Sequence, residues 1–224
     1  MLSKTTRTTI KKGAHKANFD VNELYNIIDE SMLAHVAIID SDTPVVIPML
    51  AWRIGDKVYI HGARNSRLLR NLKKGQQTCL TFTLFDGWVL ARSAMHHSAH
   101  YRSAVVFGQF EVIEDNREKD RLLNLFIEQI APGRTEHIRL GNEKELTATE
   151  LLSISLDEAS VKIGNNGVND DRADLDIPVW AGVLPYRTVV GPLQDSTDLA
   201  EGIIKPDYSA AYGTRWVNTD KTNL

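Results

Sequence analysis

The 224-residue chain contains a single cysteine, Cys79, so it has no intrachain disulfide and no thiolate-rich metal framework. Cys79 sits in the strand-like run Thr78–Phe82, where a buried structural thiol is expected. No run of about 18 apolar residues occurs, so no segment reads as a membrane-spanning helix. Charge of one sign is also lacking: 26 Lys and Arg against 29 Asp and Glu give a net charge of -3. That balance gives no electrostatic basis for binding nucleic acid or an anionic membrane, and neither partner is expected. The basic N-terminal stretch with Lys4, Arg7, Lys11 and Lys12 has no apolar segment after it of the kind a signal peptide needs. A reducing, cytoplasmic setting is therefore expected. The phosphate loop of nucleotide hydrolases, the GxGxxG fingerprint, the HExxH helix and the serine elbow are all missing. Hydrolase and kinase chemistry have no motif here, and no internal repeat is visible.

What remains is an ordinary globular composition, 42% apolar and 25% charged, with length for one domain and a full core. Residues 1–18 are polar and Lys/Thr-rich and read as an arm, 19–190 as the folded domain, and 191–224 as a tail. Asp20 can cap a helix whose apolar face is Leu24, Ile27 and Ile28. From Leu33 the pattern becomes three short strands at hairpin spacing, the second being Pro44–Trp52 and the third Lys57–His61. Ser66 to Gly75 reads as a short amphipathic helix buried through Leu68, Leu69 and Leu72. Strands are expected at Thr78–Leu84, at Trp88–Ala91 after a turn at Asp86-Gly87, and at Tyr101–Ile113. Asn116–Ile130 reads as a helix, Ala148–Ser153 as a further helical turn, and Ser153–Ile163 as another strand. Gly164 to Asp176 is a polar surface loop, and Ile177–Pro185 is the last structured stretch. At least six strands, mostly hairpin-linked, with helices inserted between them indicate a mainly β fold, an antiparallel barrel with covering helices.

Two stretches have the residue types of a binding site. In His61-Gly62-Ala63-Arg64-Asn65-Ser66-Arg67, a strand runs into a helix. The turn offers two guanidinium groups and a hydroxyl, the donors a phosphate takes, and Gly62 would let the backbone approach a ligand. In Arg92–Ser103, His96, His97 and His100 fall within five residues. Adjacent histidines on a strand would face opposite ways, and no familiar zinc spacing is present, so no metal site is expected, although His96 and His100 can share a turn face. Arg102 opens an otherwise apolar strand, a costly placement that pairing with a phosphate would relieve.

Taken in order, several stretches resemble the flavin-binding split-barrel superfamily of pyridoxamine 5′-phosphate oxidase, and more closely its branch containing the nitroimidazole-resistance proteins. These are His61–Arg67, Leu84–Ala94, His96-His97-Ser98, Tyr101–Gly108 and Pro178–Pro185. The resemblance implies a homodimeric split β-barrel with flavin mononucleotide (FMN) at the subunit interface. It implies that the strand Ile47 to Trp52, with Pro48, Met49, Leu50, Ala51 and Trp52, meets the flavin ring edge. His61 and Gly62 would then lie beside the ribityl phosphate, Arg64, Ser66 and Arg67 would hold it, and Ser98, Arg102 and Ser103 would line the cofactor. Trp180 and Arg187 would approach from the partner subunit. The oxidase follows its phosphate-binding Arg with a Lys, where this chain has Leu68. The oxidase also has an Arg-x-His element for its substrate, where this chain has Arg187-Thr188-Val189. The implied function is therefore an FMN-dependent oxidoreductase of a small aromatic or nitroaromatic compound rather than of pyridoxamine phosphate, with His97 or His61 assisting proton transfer. The alternatives are a non-catalytic flavin module or a haem-binding relative, with His96, His97 or His100 offering an axial imidazole.

Overall fold

Segments with alternating apolar residues form strands, and those with three- and four-residue spacing form helices. The computed structural model describes residues 1–212. Its strands are β1 (Ala17–Asn18), β2 (Leu33–Asp40), β3 (Thr43–Ile54), β4 (Lys57–Ala63), β5 (Thr78–Leu90), β6 (Ser98–Gly108), β7 (Glu111–Val112), β8 (Thr149–Ser155), β9 (Ala159–Gly164) and β10 (Gly182–Pro185). The α-helices are α1 (Val21–Ser31), α2 (Arg67–Leu72), α3 (Asn116–Ile130), α4 (Glu143–Ala148) and α5 (Ser209–Tyr212). All pairings are antiparallel, in the order β1-β9-β6-β5-β2-β3-β4-β8-β7, with β10 added to β5. The expected split β-barrel with covering helices is what forms.

Three local features set this topology. Ser41 and Asp42, at φ 50° and 63°, make a two-residue turn that fixes the β2–β3 register with Asp40 opposite Thr43. β3 then serves two partners, pairing with β2 through Leu50 and with β4 from Ala51 onward. Asp20 caps α1 by accepting from the backbone N–H of Asn22 at 2.9 Å. The helix buries Leu24, Ile27 and Ile28 completely in the main core, with Val36, Leu80, Phe82, Val106 and Ile154 among their fellow core residues. A second, smaller core of Trp52, Tyr59, Leu122 and Leu151 lies where α3 covers the β3-β4-β8 half of the sheet.

Several expectations change. Thr78–Leu90 is one strand rather than two around a turn. Phe85 pairs with Tyr101 and Gly87 with His100, so Asp86 is an extra residue, a β-bulge. The bulge reverses the inside-outside alternation, so Phe85 and Trp88 both face outward. The long strand expected through Ile113 breaks after Gly108 into β6 and β7, and the helical turn expected at Ala148–Ser153 is absent, since α4 ends at Ala148 and β8 begins at Thr149. Ser153–Ile163 is not one strand: the chain turns after Ser155, and β8 and β9 join different halves of the sheet. The N-terminal arm is docked, with Leu2 in the main core, Thr8 buried, and Ala17 and Asn18 paired to β9. Cys79 is half-buried on the outer face rather than buried as expected, and the burial it has pushes its thiol pKa up. Of the tail aromatics, Tyr212 donates to the Ile130 carbonyl, and Trp216 lies outside the described residues.

Gly87 holds β10 in place. It has a φ of 151°, and a Cβ there would lie 2.6 Å from the Leu184 carbonyl oxygen. Gly87→Ala is expected to lower stability by about 1–3 kcal/mol, whereas Gly167→Ala, with open space around it, stays within about 0.5 kcal/mol. Chemical denaturation of the two variants checks the difference.

Candidate functional site

The chain leaves β4 through a turn held by two backbone hydrogen bonds. Arg64 N–H donates to Ala148 O at 3.0 Å and Ser66 N–H to Ala63 O at 2.9 Å. Ser66 caps α2, its Oγ accepting from Leu69 N–H at 3.2 Å. The hydroxyl proton of Ser66 stays available as a donor. Apolar residues tie the turn to the barrel: Leu68 and Leu69 are buried in the main core. Gly62 is needed for that packing, since a Cβ there would lie 3.0 Å from Leu69 Cδ1 and 4.0 Å from Met49 Cε. The close approach that Gly62 allows is therefore to α2 within the chain.

The turn projects Arg64 and Arg67 outward, with side chains 58% and 59% exposed. Each meets one carboxylate in a long ion pair: Arg64 Nε lies 3.9 Å from Glu150 Oε2, and Arg67 Nε lies 3.5 Å from Asp40 Oδ2. Glu150 is buried opposite Gly62 in the β4–β8 ladder and takes its close partner from Lys73, at 2.7 Å. Most of the guanidinium donors of Arg64 and Arg67 thus face solvent without a close partner. Leu68 is 3% exposed, so no side chain here takes the place of the oxidase's lysine.

Strand alternation separates the other residues of this region. His61 lies on the α3 face of the sheet, its ring 5.5 Å from Trp52 and 6.2 Å from Phe126. Its Nδ1 is buried without a hydrogen-bond partner, and desolvation holds its pKa below the usual histidine value. Trp52 is buried on the same face, stacked on Phe126 at 4.7 Å, and Ala51 lies in the main core. Pro48 and Leu50 lie on the same face of β3 beyond the cover of α3, together with Val46, and their β2 partners His35, Leu33 and Ala37 extend it. Met49 is half-buried against the main core.

The second stretch is held by internal ion pairs. Arg102 donates from Nε and Nη2 to both Asp86 oxygens at 2.8 Å, and also binds Glu30 bidentately, including Nη2 to Oε1 at 2.8 Å. These carboxylates raise its pKa well above the ordinary arginine value, so the cost of placing it here is relieved within the chain. Ser103 contacts Lys162 O at 3.4 Å. Arg92 binds the Asp170 carboxylate through its backbone N–H (2.9 Å) and Nη1 (2.8 Å). Burial alone would raise the Asp170 pKa, but these bonds hold it below the usual range. The histidines diverge: His96 Nε2 is 3.9 Å from Asp171, His97 Nδ1 meets Ser93 O at 2.9 Å, and His100 Nε2 meets Asn166 O at 2.8 Å. His96 and His100 therefore do not share a face. Among the described residues, His96, Asp171 and Asp174 are the trio whose potential ligand atoms lie within 4.8 Å of one another. Ser98 is exposed at the start of β6, opposite Val89.

Toward the C-terminus, Trp180 is 65% exposed and its ring covers Gly182, where a Cβ would lie 2.5 Å from Cζ2. Arg187 is exposed two residues after β10. Sequence reasoning missed the outward cluster of Phe85, Trp88 and Tyr186, whose ring centroids are 4.9 and 5.2 Å apart. It also missed Glu30, Asp86, Glu150 and Asp170. An acidic residue entering an apolar run, as in Glu150-Leu151-Leu152, was the available signal for one of them.

The family model for pyridoxamine 5′-phosphate oxidase matches residues 20–163. Among solved structures, the flavocytochrome Anf3 from Azotobacter vinelandii is 36% identical, with 91% of this chain and 94% of that one covered and a TM-score of 0.87. An FAD and haem binding protein from Mycobacterium smegmatis is 35% identical over 85% of this chain and 94% of that one, with a TM-score of 0.82. A candidate 5-nitroimidazole antibiotic resistance protein from Bacteroides thetaiotaomicron is 21% identical over 66% and 86% of the two chains, with a TM-score of 0.56, and shares the fold. No curated protein matches the sequence.

His61 gives the site a pH signature. Its folded-state pKa lies below its unfolded value, so the unfolded chain binds the extra proton first and stability falls with falling pH. The melting temperature is expected to drop as pH is lowered below about 6.5, and His61→Phe should flatten part of that drop. A melting series from pH 8 to pH 5 on both proteins checks it.

Proposed function

The chain belongs to the pyridoxamine 5′-phosphate oxidase family, and on that premise we propose that it is a flavin-dependent oxidoreductase, working as a homodimer with FMN at the subunit interface. The observation that carries this reading is the β4–α2 turn. Arg64 and Arg67 present guanidinium donors with carboxylates no nearer than 3.9 and 3.5 Å, and the Ser66 hydroxyl lies between them in sequence, a donor set suited to a phosphate monoester. The bound flavin supplies the redox chemistry, while the residues bind and orient it.

An open apolar surface adjoins that turn. Val46 and Leu50 are 58% and 52% exposed, and Leu33 and Ile39 continue their row on β2. Such a face on a sheet suits burial against a second copy, with the ring edge along Pro48–Leu50. Trp180 and Arg187 then belong to the neighbouring subunit's pocket. The substrate is a small planar aromatic compound, nitroaromatics included, for which Phe85, Trp88 and Tyr186 offer exposed ring faces. Pyridoxamine phosphate is a poor candidate, since Leu68 is buried where the oxidase has a lysine.

A second reading adds haem to the flavin. It is favoured by the two relatives of 36% and 35% identity, one a flavocytochrome and one an FAD and haem binding protein. A cavity of about 560 Å³ offers such a group three imidazoles, from His15, His96 and His97, but its wall is mostly polar, with Lys16, Ser98, Asn166 and Asn169 beside Val89 and Val168.

Visible absorption with a gel-filtration mass tests the first reading. FMN should give a bound-flavin spectrum that travels with a dimer. Arg67→Ala should weaken FMN by about 10- to 100-fold, the worth of one charged hydrogen-bonding group, while Arg117→Ala on α3 leaves it unchanged. A monomer that stays colourless with FMN rejects the assignment.

A further inference from the structure

We infer that Glu150 is a positioning residue for the phosphate site of the β4–α2 turn, steering the Arg64 guanidinium through Nε so that both Nη groups stay open to the ligand, an inference that rests on the flavin reading above. Glu150 sits on β8 opposite Gly62 of β4, and its side chain is 3% exposed. A buried carboxylate is costly, and a negative charge beside a phosphate opposes binding. What Glu150 holds accounts for its place.

One carboxylate oxygen, Oε2, meets two cations: Lys73 Nζ at 2.7 Å and Arg64 Nε at 3.9 Å. Lys73 is the C-cap of α2, and its short bond supplies the counter-charge that a buried carboxylate needs. Arg64 is held differently. Its side chain is exposed, and 3.9 Å is an ion pair rather than a hydrogen bond. Such a contact uses up none of the guanidinium donors. It still steers, because a carboxylate shielded from water is screened less than one at the surface. The approach is through Nε, so the fork of Nη1 and Nη2 is left for the paired hydrogen bonds that phosphate oxygens accept. The backbone adds a second anchor, Arg64 N–H donating to Ala148 O at 3.0 Å, two residues before Glu150. Residues 148–150 are themselves tied to α3, where buried Lys119 donates from Nζ to Thr149 O at 3.2 Å. Arg67, by contrast, faces the more exposed carboxylate of Asp40.

The test is a double-mutant cycle on the full chain: dissociation constants for FMN and riboflavin, by flavin fluorescence, for the wild type, Glu150→Gln, Arg64→Ala and the two combined. Glu150→Gln should weaken FMN by about 3- to 10-fold and leave riboflavin unchanged, and the effect should vanish when Arg64→Ala is also present. Charge alone predicts the opposite sign, since removing a carboxylate near a phosphate tightens binding. FMN affinity that is unchanged or tighter in Glu150→Gln therefore overturns the positioning role. So does an equal loss for both flavins, the mark of a purely structural residue, and so does a loss that persists with Arg64→Ala. If circular dichroism shows Glu150→Gln unfolded, Glu150→Gln with Lys73→Met, which leaves no lone buried charge, takes its place in the same cycle. A wild-type chain that binds FMN no tighter than riboflavin overturns the phosphate reading itself.

Discussion

One extra residue in β5, Asp86, is the constraint on which the rest of this barrel depends. A strand of 13 residues with strict alternation would keep one set of side chains inward along its whole length. The bulge shifts that alternation, so β5 buries Leu80 and Phe82 in its first half and Val89 in its second. It frees the Asp86 carboxylate to bind Arg102, whose other side holds Glu30 at the end of α1. Helix α1, β5 and β6 are thereby joined through one guanidinium. It also puts Gly87 where β10 can lie against its backbone. Breaking one side of such a half-buried charge network would leave the remaining carboxylate poorly compensated, so its three members stand or fall together.

The candidate site follows from the same division of faces. One face of β3 and β4 goes to the main core through Ala51 and Ile60, and the opposite face is packed beneath α3 at Trp52 and His61. What is left outward is the apolar row of β2 and β3 and the cationic turn after β4. A flat ring with a phosphate arm is the ligand that such a pairing of surfaces suits. Beside the start of β6, the histidine-lined cavity is built from the turn before that strand, the loop after β9 and His15 and Lys16 of the N-terminal arm.

Much of the fold was legible in the sequence because its signals are local. Asp20 and Ser66 announce helix starts, the residues around Ser41-Asp42 announce a hairpin, and α3 spans the stretch its apolar spacing marks. The bulge was not legible, since Asp86-Gly87 has the same local chemistry as a turn, and only the contact of Gly87 with β10, about 100 residues away, decides between them. The split of β8 from β9 was hidden for the same reason. In the site, the donors of the β4–α2 turn were readable from residue type alone. The faces of His61 and Trp52, and the carboxylates that meet Arg102, depend on register and on residues distant in sequence, which composition and spacing do not carry.

The central claim is that the turn after β4 recognises a flavin through its phosphate. The most direct measurement compares dissociation constants for FMN and riboflavin by flavin fluorescence at low and high salt. The account predicts FMN at least about tenfold tighter, with the gap narrowing as salt screens Arg64 and Arg67. Equal affinities for the two flavins, unchanged by salt, would contradict it.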